Sequence, residues 1–156
     1  MTNAIDRFTA AAEALGLHPH VRRFPEGTKT AADAARAIGC NVAQIVKSLV
    51  FMADDVAVLV LTAGSNRVDE AKLATAAGAG TVRRATPEEA RSATGFAVGG
   101  TPPFGHASRV RAFCDEELLV HDQVWAAAGT PDSVFPATPA DLVRLSDATV
   151  FDLADR

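Results

Sequence analysis

Residues 44–62 read QIVKSLVFMADDVAVLVLT and contain two runs of β-branched and apolar residues, 44–52 and 56–62. The sequence Ala53-Asp54-Asp55 separates the two runs and carries residues that are common in turns. This pattern predicts a hairpin of two long strands. We therefore expect a fold that contains a β-sheet built on this hairpin.

Helices are predicted on both sides of the hairpin, from apolar residues at helical spacing and from capping residues at the ends. The predicted helices are residues 3–15, the segment between Thr30 and Gly39, residues 68–77, and the segments that follow Thr86 and Thr138. A short run at 20–24 and a turn at 25–27 lie between the first two helices, and shorter strands are expected near 81–84, 110–114, 123–127, 133–136 and 149–153.

The order of these elements predicts an α+β fold. Helices and hairpin-connected strands are mixed without βαβ alternation, which favours a mostly antiparallel or mixed sheet. The glycine pair at 78–80 follows a helix, which is the wrong place for a dinucleotide-binding loop, so a Rossmann fold is excluded. A length of 156 residues with 48% hydrophobic residues fits a single domain, 1–156.

Composition excludes several classes of protein. No apolar run approaches the roughly 20 residues that span a bilayer, and the first residues lack signal-peptide features, so we expect a cytoplasmic protein without a membrane partner. The formal charge of −4 disfavours a protein that coats DNA or other long nucleic acids, but it permits contact with one end of an RNA. Cys40 and Cys114 stand alone and are expected to be small buried residues without a disulfide.

Common hydrolytic motifs are also missing from the sequence. The histidines and cysteines show no HExxH or paired metal-ligand spacing, so no metal or other cofactor is expected. A Ser-His-Asp hydrolase is disfavoured because there is no GxSxG sequence. Any chemistry must therefore come from other residues.

Lys47 is the first candidate for such chemistry. Strand alternation places it on the same face as Ile45, Leu49 and Phe51, where apolar side chains are expected. An ammonium group in a dry interior is costly, so it must reach a polar cavity, pair with an acid, or lie at a solvated edge. In the last case its stem covers apolar surface and its head reaches water.

Residues 99–106, GGTPPFGH, form a second candidate. Glycines allow a backbone to approach a ligand closely and prolines hold a loop in shape, so peptide N–H groups here can point at a carbonyl or an alkoxide. The same pattern also fits a purely structural turn. With an unperturbed pKa of about 6.5, His106 is either a general base or a hydrogen-bonded loop residue.

Residues 64–72, GSNRVDEAK, are the third candidate. They follow the second long strand directly and therefore lie next to the strand of Lys47. Asp69 and Lys72 are one helical turn apart, so a surface ion pair between them is the alternative interpretation.

These segments in this order resemble the YbaK and prolyl-tRNA-synthetase-associated domain family. The similarity rests on "VKSLVF" with Lys47, "GSNRVDEAKL" at 64–73, "GGTPPFGH" at 99–106 and the late "VFPATPADLVRLS" at 134–146, and it runs from about Thr30 to the end of the chain. The resemblance implies a mixed, partly closed β-barrel surrounded by helices. It also implies a deacylase that removes mischarged amino acids from tRNA, often tRNA for proline, without a metal or a protein nucleophile.

The resemblance also implies a set of site residues. Lys47 corresponds to the functional lysine of the family, and 99–103 corresponds to its GxxxP loop. The catalytic residues that we predict are Lys47, Gly99, Gly100 and His106. The predicted substrate-binding residues are Phe24, Thr30, Ser48, Asn66, Arg67, Asp69, Thr101, Pro102, Pro103 and Phe104.

The expected partners are the acceptor end of an aminoacyl-tRNA and an aminoacyl-tRNA synthetase. Arg22, Arg23, Lys29, Arg109 and Arg111 would help to bind RNA if they share a face. This sequence has Ala126-Ala127-Ala128-Gly129 where members specific for cysteinyl-tRNA have a serine-glycine-glycine stretch, so the amino acid stays open. A non-catalytic binding or sensor module and a hydrolase of another ester or thioester remain as alternatives.

Overall fold

The computed structural model describes residues 3–24 and 30–156, and the turn predicted at 25–27 and Lys29 lie outside them. The α-helices are α1 (Ala4–Ala14), α2 (Ala31–Ile38), α3 (Glu70–Ala77), α4 (Pro87–Thr94) and α5 (Pro139–Ser146). Short 3-10 helices cover Val42–Gln44 and Glu116–Val120. The strands are β1 (Arg22–Arg23), β2 (Val46–Ala53), β3 (Val56–Ala63), β4 (Val82–Arg84), β5 (Arg111–Asp115), β6 (Val124–Ala127), β7 (Ser133–Ala137) and β8 (Thr149–Phe151).

The predicted hairpin is confirmed, because β2 and β3 pair in antiparallel fashion along their full length. Asp54 and Asp55 form the connection with φ of 48° and 65°. Positive φ at both central residues is the requirement of a type I′ turn. The carboxylate of Asp54 accepts hydrogen bonds from the N–H groups of Gly80 (3.0 Å) and Thr81 (2.9 Å), which fixes this turn against the segment before β4.

The strands form one mixed sheet and one antiparallel sheet, which is typical of an α+β fold. The larger sheet has the order β4-β2-β3-β5-β8, with β3, β5 and β8 parallel to one another and the other pairs antiparallel. The smaller sheet has the order β1-β7-β6 and is antiparallel. The sequence-based prediction of a mixed α+β architecture is therefore confirmed.

The predicted closure into a partial barrel is wrong. The two sheets meet at one isolated bridge between Ile45 and Trp125. Within the described ranges, no further strand pairing closes either sheet. Between this bridge and β4, the first half of β2 has an uncovered edge, because β4 pairs only with Phe51–Ala53 at the end of β2.

The hairpin separates two apolar clusters. Leu59 and Leu61 face one side, where they pack in a cluster that contains Phe8 of α1. Val58 and Val60 face the other side with Leu73 of α3. Because side chains alternate along a strand, burial of β3 on both faces explains its uninterrupted apolar sequence.

The helix ends follow the predicted caps. Thr30, Thr86 and Thr138 each accept a hydrogen bond from the N–H three residues later, at 3.0–3.1 Å. Helix α3 begins two residues later than predicted because Asp69 caps it and Val68 forms a bridge with Ala154. Among the described residues, no helix is long and apolar enough to cross a membrane.

Candidate active site

A cavity of about 460 Å³ lies at the uncovered edge of β2. Its walls come from β2, the start of α2, the segment from β4 into α4, β6 and the loop at 98–101. Most of the lining is apolar, and Trp125 of β6 forms part of it. An apolar pocket with a few polar groups is the usual form of a small-molecule site.

The predicted site residues divide into three groups. Five line this cavity: Thr30, Lys47, Ser48, Gly99 and Thr101. Three line a second, more open cavity between α1, the loop at 103–109 and the start of β5: Pro103, Phe104 and His106. Six line neither cavity: Phe24, Asn66, Arg67, Asp69, Gly100 and Pro102. The structure thus brings only part of the predicted site together.

Lys47 is half-buried at the wall of the first cavity. Leu49 and Phe51 lie in the cluster on its side of the strand, as predicted, but Ile45 precedes β2 and packs in another cluster with Trp125. The ammonium of Lys47 donates a hydrogen bond to the carbonyl oxygen of Asn66. This contact provides the polar partner that a half-buried ammonium requires.

The surroundings of Lys47 lower the pKa of its ammonium group. Burial is the main cause that lowers its pKa, and the positive charges of Arg84 and Arg67 lower the pKa further. Arg84 also lines the cavity, so two cations face the same space. A negatively charged ligand would relieve this repulsion.

Ser48 lines the cavity at the uncovered edge of β2. Its buried hydroxyl oxygen has no hydrogen-bond partner among the described residues. The carbonyl of Ile45 accepts from the N–H of Gly64, directly after β3, at 2.7 Å, and the carbonyl of Val50 accepts from the N–H of Ala85 on the opposite side at 3.1 Å. Since peptide groups alternate along a strand, those of Ser48 point to the uncovered edge.

The loop at 98–101 forms the opposite wall. The N–H of Gly100 donates to the carbonyl of Ala97 at 3.0 Å, so it is already used. The N–H of Gly99 has no such partner within the described ranges. Gly100 packs against the backbone of Gly129 and Thr130 so closely that a Cβ would lie 2.7 Å from Thr130 Cα.

His106 is held in the second cavity. Its Nε2 lies 2.7 Å from the carbonyl oxygen of Pro102, and its ring packs edge-on against Phe96. Burial lowers the pKa of His106, which favours neutral imidazole. This placement does not support the predicted role of general base, because His106 lines a different cavity from Lys47.

Asp69 and Phe24, two further predicted site residues, have structural contacts away from the first cavity. Asp69 caps α3 by accepting from the N–H groups of Ala71 (2.9 Å) and Lys72 (3.1 Å). The alternative ion pair between Asp69 and Lys72 is not formed, because the ammonium of Lys72 pairs with Asp152 at 3.1 Å. Phe24 packs in the cluster that contains Trp125, behind the wall of the first cavity.

The predicted basic surface is not a single face. Arg22 lies over the ring of Trp125, 5.5 Å from its centroid, and so belongs to the side of the first cavity. Arg23 pairs with Asp132, while Arg109 and Arg111 line the second cavity. These arginines therefore do not form one basic surface.

Sequence reasoning missed the polar residues that lie behind Lys47. Thr62 is paired with Lys47 across the hairpin and is fully buried, and its hydroxyl has no partner among the described residues. Asp115 at the end of β5 is also fully buried, and Arg156 bonds to it. The only signal in the sequence was the placement of polar residues at the ends of apolar strands.

Groups of three or more metal-binding side chains do not occur among the described residues. Cys114 is fully buried and Cys40 half-buried, both as free thiols. Burial raises the pKa of Cys114 to about 12, and nearby Asp115 adds to the effect, so its thiol stays protonated.

Comparison with known proteins identifies the family of this chain. A family model described as the aminoacyl-tRNA editing domain matches residues 25–145. The uncharacterized protein YwhH of Bacillus subtilis is 31% identical over 132 residues, which cover 84% of this chain and 83% of that protein. Proline--tRNA ligase of Levilactobacillus brevis is 32% identical over 118 residues, which cover 76% of this chain but only 20% of the ligase.

Among solved structures, a crystal structure described as that of a "putative trans-editing enzyme for prolyl tRNA synthetase" superposes with a TM-score of 0.94. It is 45% identical and covers 100% of this chain and 99% of its own. The resemblance found in the sequence is confirmed, and the chain belongs to the aminoacyl-tRNA editing domain family.

Proposed function

We propose that this protein acts in trans as a deacylase that hydrolyses the ester between a small, mischarged amino acid and tRNA, with tRNA for proline as the expected carrier. The observation that carries the proposal is the cavity at the edge of β2, a largely apolar chamber lined by Lys47, by the uncovered β2 edge at Ser48 and by Gly99. Support for the class of substrate comes from the family match and from the printed name of the similar solved structure.

Hydrolysis of this ester requires few catalytic groups from the protein. An aminoacyl ester is already activated, so hydrolysis needs a fixed carbonyl, a water molecule and stabilisation of the negative charge that develops on the carbonyl oxygen. Water adds to the carbonyl carbon, the bond to the ribose oxygen breaks, and that oxygen takes up a proton. The products are a free amino acid and a tRNA with its terminal hydroxyl restored, with no metal and no covalent enzyme intermediate.

Two groups are suited to the charged parts of this substrate. Lys47 and Arg84 place positive charge at the cavity, where a terminal phosphate or the developing oxyanion would lie. The N–H of Gly99 and the peptide groups of Ser48 at the uncovered edge of β2 supply hydrogen bonds to the ester and the aminoacyl group. A substrate that fills the chamber would displace bulk water, and these interactions are stronger where bulk water is excluded.

The apolar walls favour a small side chain. Ala31, Ala34, Ala126 and Ala127 line the cavity together with Ile45 and Val46. One methylene group in such a pocket changes binding by only about 1–3 kcal/mol, so neighbouring small amino acids will be separated by factors of about 10 to 200. We expect partial rather than absolute selection among them.

The test is deacylation of tRNAs charged with alanine, serine, cysteine or proline. The wild type should hydrolyse at least one mischarged tRNA, and Lys47→Ala should lose activity by on the order of 10²-fold with its melting temperature nearly unchanged. Arg109→Ala, which removes an exposed cation in the second cavity, is the matched control and should stay active. Inactivity of the wild type on every charged tRNA would instead favour a binding module.

A further inference from the structure

A continuous run of polar contacts connects Lys47 with Arg156. The ammonium of Lys47 donates to the carbonyl of Asn66, and the side-chain amide of Asn66 donates to the carboxylate of Glu117. Glu117 then forms an ion pair with Arg156 at 3.1 Å. Arg156 in turn bonds to Asp115 at 3.2 Å. Residues from four separate parts of the chain thus meet behind the cavity wall.

The far end of this run is firmly anchored. Asp115 is fully buried, and one of its oxygens accepts from both the N–H of Leu153 (2.9 Å) and the guanidinium of Arg156. Arg156 also pairs with Asp152 at 3.1 Å, so three carboxylates surround one guanidinium. A planar donor that bonds several carboxylates has little freedom to move.

The position of the Lys47 ammonium, at the other end of this run of contacts, depends on the contacts around Arg156. Among the described residues, the contact of the Lys47 ammonium is with the Asn66 carbonyl rather than with an acid. Asn66 lies in the connection between β3 and α3, and its side chain is held by Glu117 of the 3-10 helix Glu116–Val120. Together with the hydrogen bond from the Asn66 N–H to the carbonyl of Ala63 (2.9 Å), the contact with Glu117 holds the residue whose carbonyl accepts from the ammonium.

We propose that Glu117, acting through Asn66, is a positioning residue that holds the Lys47 ammonium at the wall of the first cavity. This rests on the proposed function, in which the ammonium orients the aminoacyl-tRNA ester. Glu117 does not line the cavity and is not expected to touch the substrate. Its effect should therefore fall on turnover rather than on binding.

The alternative is that these contacts only attach the end of the chain to the sheet. Exposed ion pairs of this kind often contribute about 0–1 kcal/mol to stability and nothing else. The two interpretations differ in what happens to Lys47 when Glu117 is replaced without unfolding the protein. The substitutions Glu117→Ala and Glu117→Gln separate them, because glutamine keeps an acceptor for the Asn66 amide.

The experiment compares these variants with Glu116→Ala, a neighbouring exposed glutamate on the same 3-10 helix. Steady-state deacylation of a mischarged tRNA gives kcat and KM, and NMR of the 13Cε signal of Lys47, assigned with Lys47→Arg, reports the ammonium directly. We expect Glu117→Ala to lower kcat about 10-fold with KM within twofold and to shift the Lys47 signal. Glu117→Gln should restore most of kcat, and Glu116→Ala should resemble the wild type.

Two results would overturn the proposal. One is a Glu117→Ala protein that loses melting temperature but keeps the wild-type kcat and Lys47 signal, and the other is a loss of kcat that glutamine does not restore. If the wild type hydrolyses no charged tRNA, the proposed function fails by itself. The Lys47 signal then still decides whether Glu117 positions the ammonium.

Discussion

The two cavities differ in a way that size does not reveal. The second cavity is larger, at about 1240 Å³ against about 460 Å³, and it has three arginines and a histidine on its surface. Its polar groups already have partners, since Arg109 pairs with Asp147, Arg144 pairs with Asp141 and His106 contacts a carbonyl. The first cavity has the open peptide groups of Ser48 at the edge of β2 and the N–H of Gly99, which has no backbone partner within the described ranges. Open backbone hydrogen-bonding groups, rather than volume or charge, therefore distinguish the candidate site.

The largest effect should come from Gly100→Ala, which moves a wall of the first cavity. A Cβ at Gly100 would lie 2.7 Å from Thr130 Cα and 2.8 Å from the carbonyl oxygen of Gly129, and backbone atoms cannot rotate away. The loop must shift, and a displacement of about 1 Å can cost about 10²-fold in rate. We expect such a loss of kcat/KM, together with about 1–3 kcal/mol of stability, from deacylation assays and urea unfolding.

Gly80→Ala is the matched control for that substitution. The nearest neighbour of a Cβ at Gly80 is Asp54 Oδ1 at 3.6 Å, which is ordinary contact. Its activity should equal that of the wild type. Equal activity of Gly100→Ala would show that the loop at 98–101 is not part of the site.

A smaller effect is expected from Ser48→Ala. Its stability should be unchanged or higher than that of the wild type, and its activity should be lower. Leaving a buried hydroxyl unpaired costs about 1–3 kcal/mol, so its removal should leave stability unchanged or raise it. If the hydroxyl bonds the substrate, loss of about 1 kcal/mol of binding should reduce kcat/KM about fivefold.

Thr62→Val provides the comparison for Ser48→Ala, because Thr62 also carries a buried, unpaired hydroxyl but does not line the cavity. It should gain stability without losing activity. Similar activity losses in both variants would mean that the unpaired hydroxyl of Ser48 has no special role.

Much of this fold could be predicted because its signals are local. The hairpin at 44–62 and the caps Thr30, Thr86 and Thr138 depend on residues a few positions apart, and all of them are found in the structure. Closure into a barrel depends instead on pairing between β2 and β6, which lie far apart in the chain. The sequence does not contain that information in any local pattern.

The site shows the same division between local and distant information. Lys47 was identifiable because a lysine interrupts an apolar strand. The sequence predicts one site for the whole loop at 99–106. The loop instead passes from the first cavity to the second, so Gly99 and His106 line different cavities. Glu117 and Arg156 could not be found, since only the folded chain brings them next to Asn66.

His106→Gln should affect activity little. Since His106 lines the second cavity, we expect kcat/KM within about threefold of the wild type, measured with the same mischarged tRNA. Loss of its contacts with Pro102 and Phe96 should cost about 1 kcal/mol of stability. A drop of 100-fold in kcat with an intact fold would restore His106 as the general base and remove the distinction between the cavities.

The smallest effect concerns α4, which forms a wall of the first cavity through Pro87 and Ala90. Glu89 bonds to Arg83 at 2.8 Å and caps the helix, and these contacts lower its pKa from 4.5 to about 2. A carboxyl group with a lowered pKa stabilises the fold above its unfolded value and loses that contribution as the pH falls through the folded value.

Glu89→Gln should therefore be less stable than the wild type at pH 7, and the difference should shrink between pH 4.5 and pH 2. Urea unfolding at several pH values measures this difference, with Glu88→Gln, an exposed neighbour in the same helical turn, as the control. Deacylation at pH 7 should stay unchanged in both variants, because neither side chain lines the cavity. A difference that is constant with pH would mean that the charge of Glu89 does not hold α4 against β4.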